Sequence, residues 1–202
     1  MNKNVSSGNI DYNLSILFEK KSLTDFESAD NPISLFYGIH EDRFGEYLLA
    51  LTDQEEIVAL DFYEDEHTSL KKLQHRWRGS ALIHQQEKTA KIASRLFQPA
   101  TDEPLRILAR GTPFQLKVWE CLIEIPFGKT VTYQWVAKKV GNPKGSQAVG
   151  NAMGDNPIAF LIPCHRVVTK AGQISGYRWG VRRKAEILDW EQSLAGQQPR
   201  LF

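Results

Sequence analysis

The chain has 202 residues, 42% of them hydrophobic and 24% charged, a balance close to the globular average that excludes a fibre, a disordered chain and a polytopic membrane protein. Its two cysteines, Cys121 and Cys164, exclude a disulfide-rich scaffold and a four-cysteine zinc site; with no basic-then-apolar secretory order at the start, they read as free thiols of a soluble, cytoplasmic protein. The net charge is only +1, yet residues 1–100 hold 11 basic and 16 acidic side chains (net −5) and residues 101–202 hold 14 and 8 (net +6), so the second half is the one suited to phosphates.

Residues 1–30 are polar and weakly patterned and read as a loosely ordered N-terminal arm, whose apolar run Leu14, Ile16, Leu17 and Phe18 could dock elsewhere. Ser34 to Ile39, Tyr47 to Leu51 and Ile57 to Phe62 have the residue types and turn-like breaks of strands in a small antiparallel sheet. Helical spacing follows at Ser69 to Trp77 and Glu87 to Phe97, and Leu105 to Ala109 is a last strand. Together these predict a small α/β domain over 31–109.

The second domain, 110–194, is predicted to be mostly helical. Thr112 can cap a helix that Pro113 opens and that Pro126 and Gly128 stop. Thr132 to Val140 and Ser146 to about Met153 are two short helices joined through Gly141, with Lys138, Lys139 and Lys144 nearby, which is the pattern of a helix-turn-helix. After Asn156-Pro157, the apolar run Ile158 to Ile162 leads into Pro163-Cys164-His165-Arg166-Val167-Val168. A polar hairpin at Lys170-Ala171-Gly172 and a helix from about Arg182 to Glu191 follow, then a tail over 195–202.

A cysteine beside a histidine at the end of an apolar segment has two readings, an inert buried hydrophobe or a nucleophile. In the second, His165 takes the thiol proton and Glu191 orients the imidazole from behind, although an acidic residue on a terminal helix is commonly a solvated face. On the same terms Tyr133 is a core aromatic of an amphipathic helix and Asn156 a turn residue before proline. Cys121 reads as structural. His40, His67, His75 and His84 lack metal-ligand spacing, and no metal is expected.

Pro163-Cys164-His165-Arg166-Val167 stands among Gly111-Thr112-Pro113-Phe114-Gln115, Val118-Trp119, Ile125-Pro126, Gly128-Lys129-Thr130-Val131-Thr132-Tyr133 and Gly176-Tyr177-Arg178-Trp179-Gly180-Val181. This set resembles the O6-alkylguanine-DNA alkyltransferases (methylated-DNA–protein-cysteine methyltransferases) throughout residues 105–191; residues 33–109 resemble the family's smaller first domain more weakly. The resemblance implies a ribonuclease H-like first domain and a winged helix-turn-helix second domain that carries the active cysteine. It implies DNA repair by single-turnover, irreversible transfer of the alkyl group from O6-alkylguanine, and less so O4-alkylthymine, to Cys164, with no cofactor.

By the same resemblance His165 would accept the thiol proton through a water, Glu191 would fix its tautomer, and Asn156 would form a hinge and hydrogen-bond near the thiol. Tyr133 would support rotation of the nucleotide out of the stack, and Tyr177 and Arg178 would cover the base pocket. Gln147, Ala148 and Gly150 on the second short helix, with Lys144 and Arg166, would contact DNA through the minor groove. The implied partner is double-stranded DNA containing the alkylated base, bound by a monomer without a membrane.

One position departs from the family, which usually has an arginine where this chain has Gln147; the expected effect is slower repair in duplex DNA. Trp179 suggests a pocket narrowed toward methyl groups, or else packs the hairpin onto the last helix. Two competing readings are a relative that binds the lesion without accepting the alkyl group, in which the cysteine is typically replaced, and a regulator, which would need a cysteine-rich metal domain this chain lacks.

Overall fold

The computed structural model describes residues 15–22, 33–63, 65–98 and 103–195. The first half is built on a six-stranded sheet of β1 (Ile16–Ser22), β2 (Ser34–Asp42), β3 (Gly45–Leu51), β4 (Ile57–Phe62), β5 (Ala81–His84) and β6 (Leu105–Gly111), in the order β1-β6-β4-β3-β2-β5. Two differences from the sequence reading stand out. The sheet is mixed rather than antiparallel: β2, β3 and β4 form an antiparallel meander, while β1 with β6, β6 with β4 and β2 with β5 run parallel. In addition, the predicted arm supplies an edge strand, with Ile16 to Ser22 in register against Leu105 to Gly111. Strand β5 carries only two strongly apolar residues and pairs parallel to β2, so its stability comes from the ladder rather than from an apolar face.

Strands β3, β4 and β6 are buried on both sides. Leu48, Ala50, Val58 and Leu108 face Leu73 and Trp77 of helix α1 (Glu66–Arg76) and its cap. Tyr47, Leu49, Leu51, Ile57, Leu60 and Ile107 turn to the other side, toward Ile92 of α2 (Gln86–Ala93), Leu96, Phe97 and the whole second half. Period-2 alternation thus sends successive residues into two cores.

Helix α3 (Pro113–Ile123) starts as expected, with a capping box in which Thr112 and Gln115 satisfy each other's backbone N–H groups. Its Trp119 is fully buried and donates from Nε1 to Ala152 O at 2.8 Å. A Cβ on Gly111 would fall 2.7 Å from that indole, so glycine is required where the sheet hands over to α3. Strand β7 (Val131–Thr132) pairs parallel with β8 (Val167–Val168). Thr132 caps α4 (Tyr133–Lys139), the turn at Gly141 takes positive φ, and α5 (Ser146–Gly154) follows. Helix α6 (Val181–Ala195) closes the described chain. The polar segment predicted as a hairpin is a turn, with Thr169 and Gln173 hydrogen-bonded but no strand after it.

One joint ties the halves together. Strands β4 and β6 pair only at Ile57 and Ile107. Farther along, segment 157–159 takes the vacated edge: Leu60 N donates to Pro157 O at 3.1 Å and Ala159 N donates to Leu60 O at 2.8 Å. The apolar run before the Cys-His motif is buried because it completes the central sheet.

Candidate active site

Cys164 opens a 3₁₀ turn, Cys164–Arg166, at the end of this buried segment. The chain reaches it through a tight reversal in which Phe160 adopts φ 65, a conformation that a bulky side chain enters only when its surroundings enforce it. Asn156 organises the reversal. Its Oδ1 accepts from Ile158 N at 2.9 Å, and its Nδ2 donates to Ile162 O at 2.8 Å and to Cys164 Sγ at 3.3 Å. A single buried amide therefore connects the end of α5 to the sulfur.

Behind Cys164 lies a buried imidazole–carboxylate pair, His165 and Glu191. His165 stacks on Phe160 at 5.9 Å with an interplanar angle of 8°. Its Nε2 lies 2.8 Å from Glu191 Oε1. The carboxylate can only accept, so Nε2 carries the proton and Nδ1 keeps its lone pair. Nδ1 is buried and has no partner among the described residues. Burial holds the imidazole below its ordinary pKa against the pull of Glu191, so it is neutral at pH 7. Glu191 is buried too, which disfavours its charge, but His165 and Arg166 overcome that penalty and hold it well below the usual carboxylate range. Arg166 donates through Nε to Oε2 at 3.0 Å and through Nη2 to Oε1 at 2.8 Å, and Gly128 N donates to Oε2 at 3.0 Å. Gly128 has φ +69, and a Cβ there would meet Ala195 Cβ at 2.4 Å.

Burial pushes the Cys164 thiol up to about 11, against opposing pulls from the Asn156 hydrogen bond, Lys184 and Arg178. The resting sulfur is therefore a thiol, and attack requires loss of its proton as the reaction proceeds. Lys184 was not singled out from the sequence. It is fully buried, donates from Nζ to Val167 O at 2.6 Å, and is lowered to about 8 by burial, with Cys164 acting in the other direction. The signal for it was available: Lys184, Ile187, Leu188 and Glu191 fall on one helical face, so two ionisable residues occupy the buried stripe of α6.

Cys164 lines a cleft of about 720 Å³, within the range of small-molecule and nucleobase sites. Tyr133, Gln147, Gly150, Tyr177 and Arg178 share that lining. Tyr133 Oη is 2.9 Å from Ser175 Oγ, which the sequence reading missed. Arg178 donates through Nη1 to Asn156 O at 3.1 Å, at the end of α5. Gln147 Nε2 donates to Asn151 Oδ1 at 3.3 Å, one turn along α5. Tyr177 keeps a buried hydroxyl with no partner among the described residues, and burial holds it protonated. Lys144 and Ala148 lie outside the lining, at the turn before α5 and in its first turn.

Two expectations are corrected. Arg166, assigned to DNA contact, points inward, with its guanidinium committed to Glu191 and to Ile125 O at 2.6 Å. Trp179 does not narrow the cleft. Its indole is buried and donates to Asp61 Oδ1 of β4 at 2.6 Å, locking the loop onto the first half.

The family described as "6-O-methylguanine DNA methyltransferase, DNA binding domain" matches residues 113–193. A methylated-DNA–protein-cysteine methyltransferase of Methanosarcina acetivorans is 35% identical over 161 residues, covering 79% of this chain and 99% of that protein. The chain belongs to the methylated-DNA–protein-cysteine methyltransferase family. Another relative is the bifunctional transcriptional activator/DNA repair enzyme Ada of Escherichia coli, 38% identical over 168 residues. That match covers 81% of this chain but 47% of Ada, so the chain spans about half the length of this relative. The methyltransferase likeness extends to the α/β fold: the structure of Mycobacterium tuberculosis OGT in complex with DNA superposes with a TM-score of 0.64 at 28% identity, over 80% of this chain and 94% of that one.

Proposed function

We propose that this chain repairs DNA by moving the alkyl group of O6-alkylguanine, and less readily that of O4-alkylthymine, irreversibly onto Cys164. The observation that carries this reading is a thiol opening on a base-sized cleft in front of a neutral imidazole with a free ring nitrogen and a paired carboxylate. As the alkyl carbon on O6 is attacked, the thiol proton passes through a water to His165 Nδ1. The S–C bond forms, the C–O6 bond breaks, and the guanine leaves with the electron pair and is reprotonated. Glu191 stabilises the imidazolium, and Arg166 keeps Glu191 ionised and oriented. No cofactor takes part, and because the thioether is permanent each molecule acts once.

The second half is read as a winged helix-turn-helix, with α4 and α5 as its helices and β7 and β8 as its small wing, attached to a ribonuclease H-like first domain. Helix α5, with Gln147, Ala148 and Gly150, enters the minor groove as a monomer binds the duplex, Lys144 contacts phosphate, and Tyr133 assists rotation of the target nucleotide toward the cleft. Small residues on α5 favour that close approach, and a groove poor in sequence information suits damage that falls anywhere. Tyr177 and Arg178 form the cleft wall against the base. The working location is the cytoplasm.

The test is mass spectrometry of the intact protein and its peptides after incubation with O6-methylguanine DNA. One added methyl on the peptide containing Cys164, and none in Cys164→Ser, is the expected result. Binding of the methylated duplex without mass gain would establish the lesion-binding reading instead.

A further inference from the structure

A second groove, of about 880 Å³, opens beside α1 and shares Gly154 and Arg178 with the Cys164 cleft. It lies mostly on the acidic half of the chain, yet its walls carry Lys71, Lys72, Arg76, Arg78, Arg110 and Arg178 against only two carboxylates, Asp61 and Asp155. Leaving His75 aside, that is six positive and two negative side chains, a net +4. Asp61 accepts from Ser69 Oγ and Trp179 Nε1, both at 2.6 Å, and lies 3.6 Å from Lys72 Nζ and 3.9 Å from Arg178 Nη2, so one carboxylate serves two of these cations. Arg76 and Arg110 are held in place by each other's backbone carbonyls, at 2.8 and 2.7 Å, and Arg76 also donates to Asp155 O at 2.8 Å. Those carbonyls fix the guanidiniums and carry no net charge themselves. Lys71 and Arg78 are exposed and form no ion pair with another described residue. Crowding of cations at this density raises the energy of the empty groove, and a polyanion relieves it.

We infer that this groove binds the phosphodiester backbone of the same duplex that presents its nucleotide to the Cys164 cleft. This rests on DNA being the substrate, as proposed above. Continuity carries it: both concavities are lined by Gly154 and Arg178, the end of α5 and the cleft wall, and Arg76 donates to Asp155 O beside them, so a strand leaving the cleft would pass Arg76. The groove thereby makes the first half part of the DNA-binding surface and extends the footprint beyond the helix-turn-helix.

The test is equilibrium binding of a fluorescent, undamaged duplex of about 20 base pairs across a salt series, comparing the parent with Lys71→Gln/Arg78→Gln. Loss of two phosphate contacts should make the slope of log K against log salt shallower by about 1.8 and weaken binding by about 10- to 60-fold at 0.1 M salt. Lys88→Gln/Lys91→Gln on α2, across the sheet, removes equal charge and should leave the slope unchanged. An unchanged slope in the groove variant, or equal losses in both variants, overturns the inference. So does a dimer that the groove substitutions alone dissolve, since that would assign the groove to a second copy's acidic surface. Absence of methyl transfer with a normal salt response in the parent would remove the repair reading and leave the groove standing.

Discussion

At the scale of single residues, the site depends on one carboxylate with three kinds of donor around it. Glu191 accepts from His165, Arg166 and Gly128 in the interior. Its folded pKa lies below its unfolded value, so the stability it contributes is complete above about pH 4.3 and is lost as pH falls through the folded value. Glu191→Gln preserves shape but leaves the part-buried Arg166 without its anion. The expected cost is about 3 kcal/mol in urea denaturation at pH 7. Stability of the variant should also decline less steeply between about pH 4.5 and pH 2 than that of the parent. Alkyl transfer should slow by about 100-fold, because the imidazolium formed during attack loses its counter-charge. Equal pH profiles for the two proteins would show that Glu191 titrates alike in both states.

At the scale of elements, α5 carries the consequence of Gln147. The side chain reaches Asn151 rather than standing free, and a neutral amide fills the space left by an extruded base with less charge and less stacking than a guanidinium. Gln147→Arg is therefore expected to repair methylated duplex about 10-fold faster, while rates with free O6-methylguanine base stay within about twofold; single-turnover assays on both substrates compare them. The elements themselves were legible where local chemistry is strong. The Thr112-Pro113 cap, the β2 to β4 meander and the break at Gly141 follow from turn and cap residues that act over a few positions. Strands β1 and β5 were not legible, because a short edge strand paired in parallel to a distant segment carries no local signature. The Cys164, His165, Glu191 and Asn156 cluster was readable from motif and resemblance. The positions of Lys184, Ser175 and Trp179 depend on which way a helix face or a loop turns, and that is settled by the assembled core.

At the scale of the whole molecule, the halves share one core rather than meeting as two. Segment 157–159 fills the open edge of β4, and Asp61 gathers Ser69, Lys72, Arg178 and Trp179 from α1 and the cleft wall. Asp61→Ala strands the buried indole N–H and removes the anion among the cations. An expected loss of about 3 kcal/mol in chemical denaturation follows, with a single cooperative transition retained because both halves unfold together; two separated transitions would show that Asp61 is the main link between them.

The chain order of these groups has a temporal meaning as well. Cys164 and His165 are translated before Lys184 and Glu191, which both reside on α6. A nascent polypeptide still emerging from the ribosome therefore holds Cys164 without Lys184 and without the carboxylate behind His165, and the arrangement of thiol, imidazole and carboxylate is assembled only when the closing helix docks.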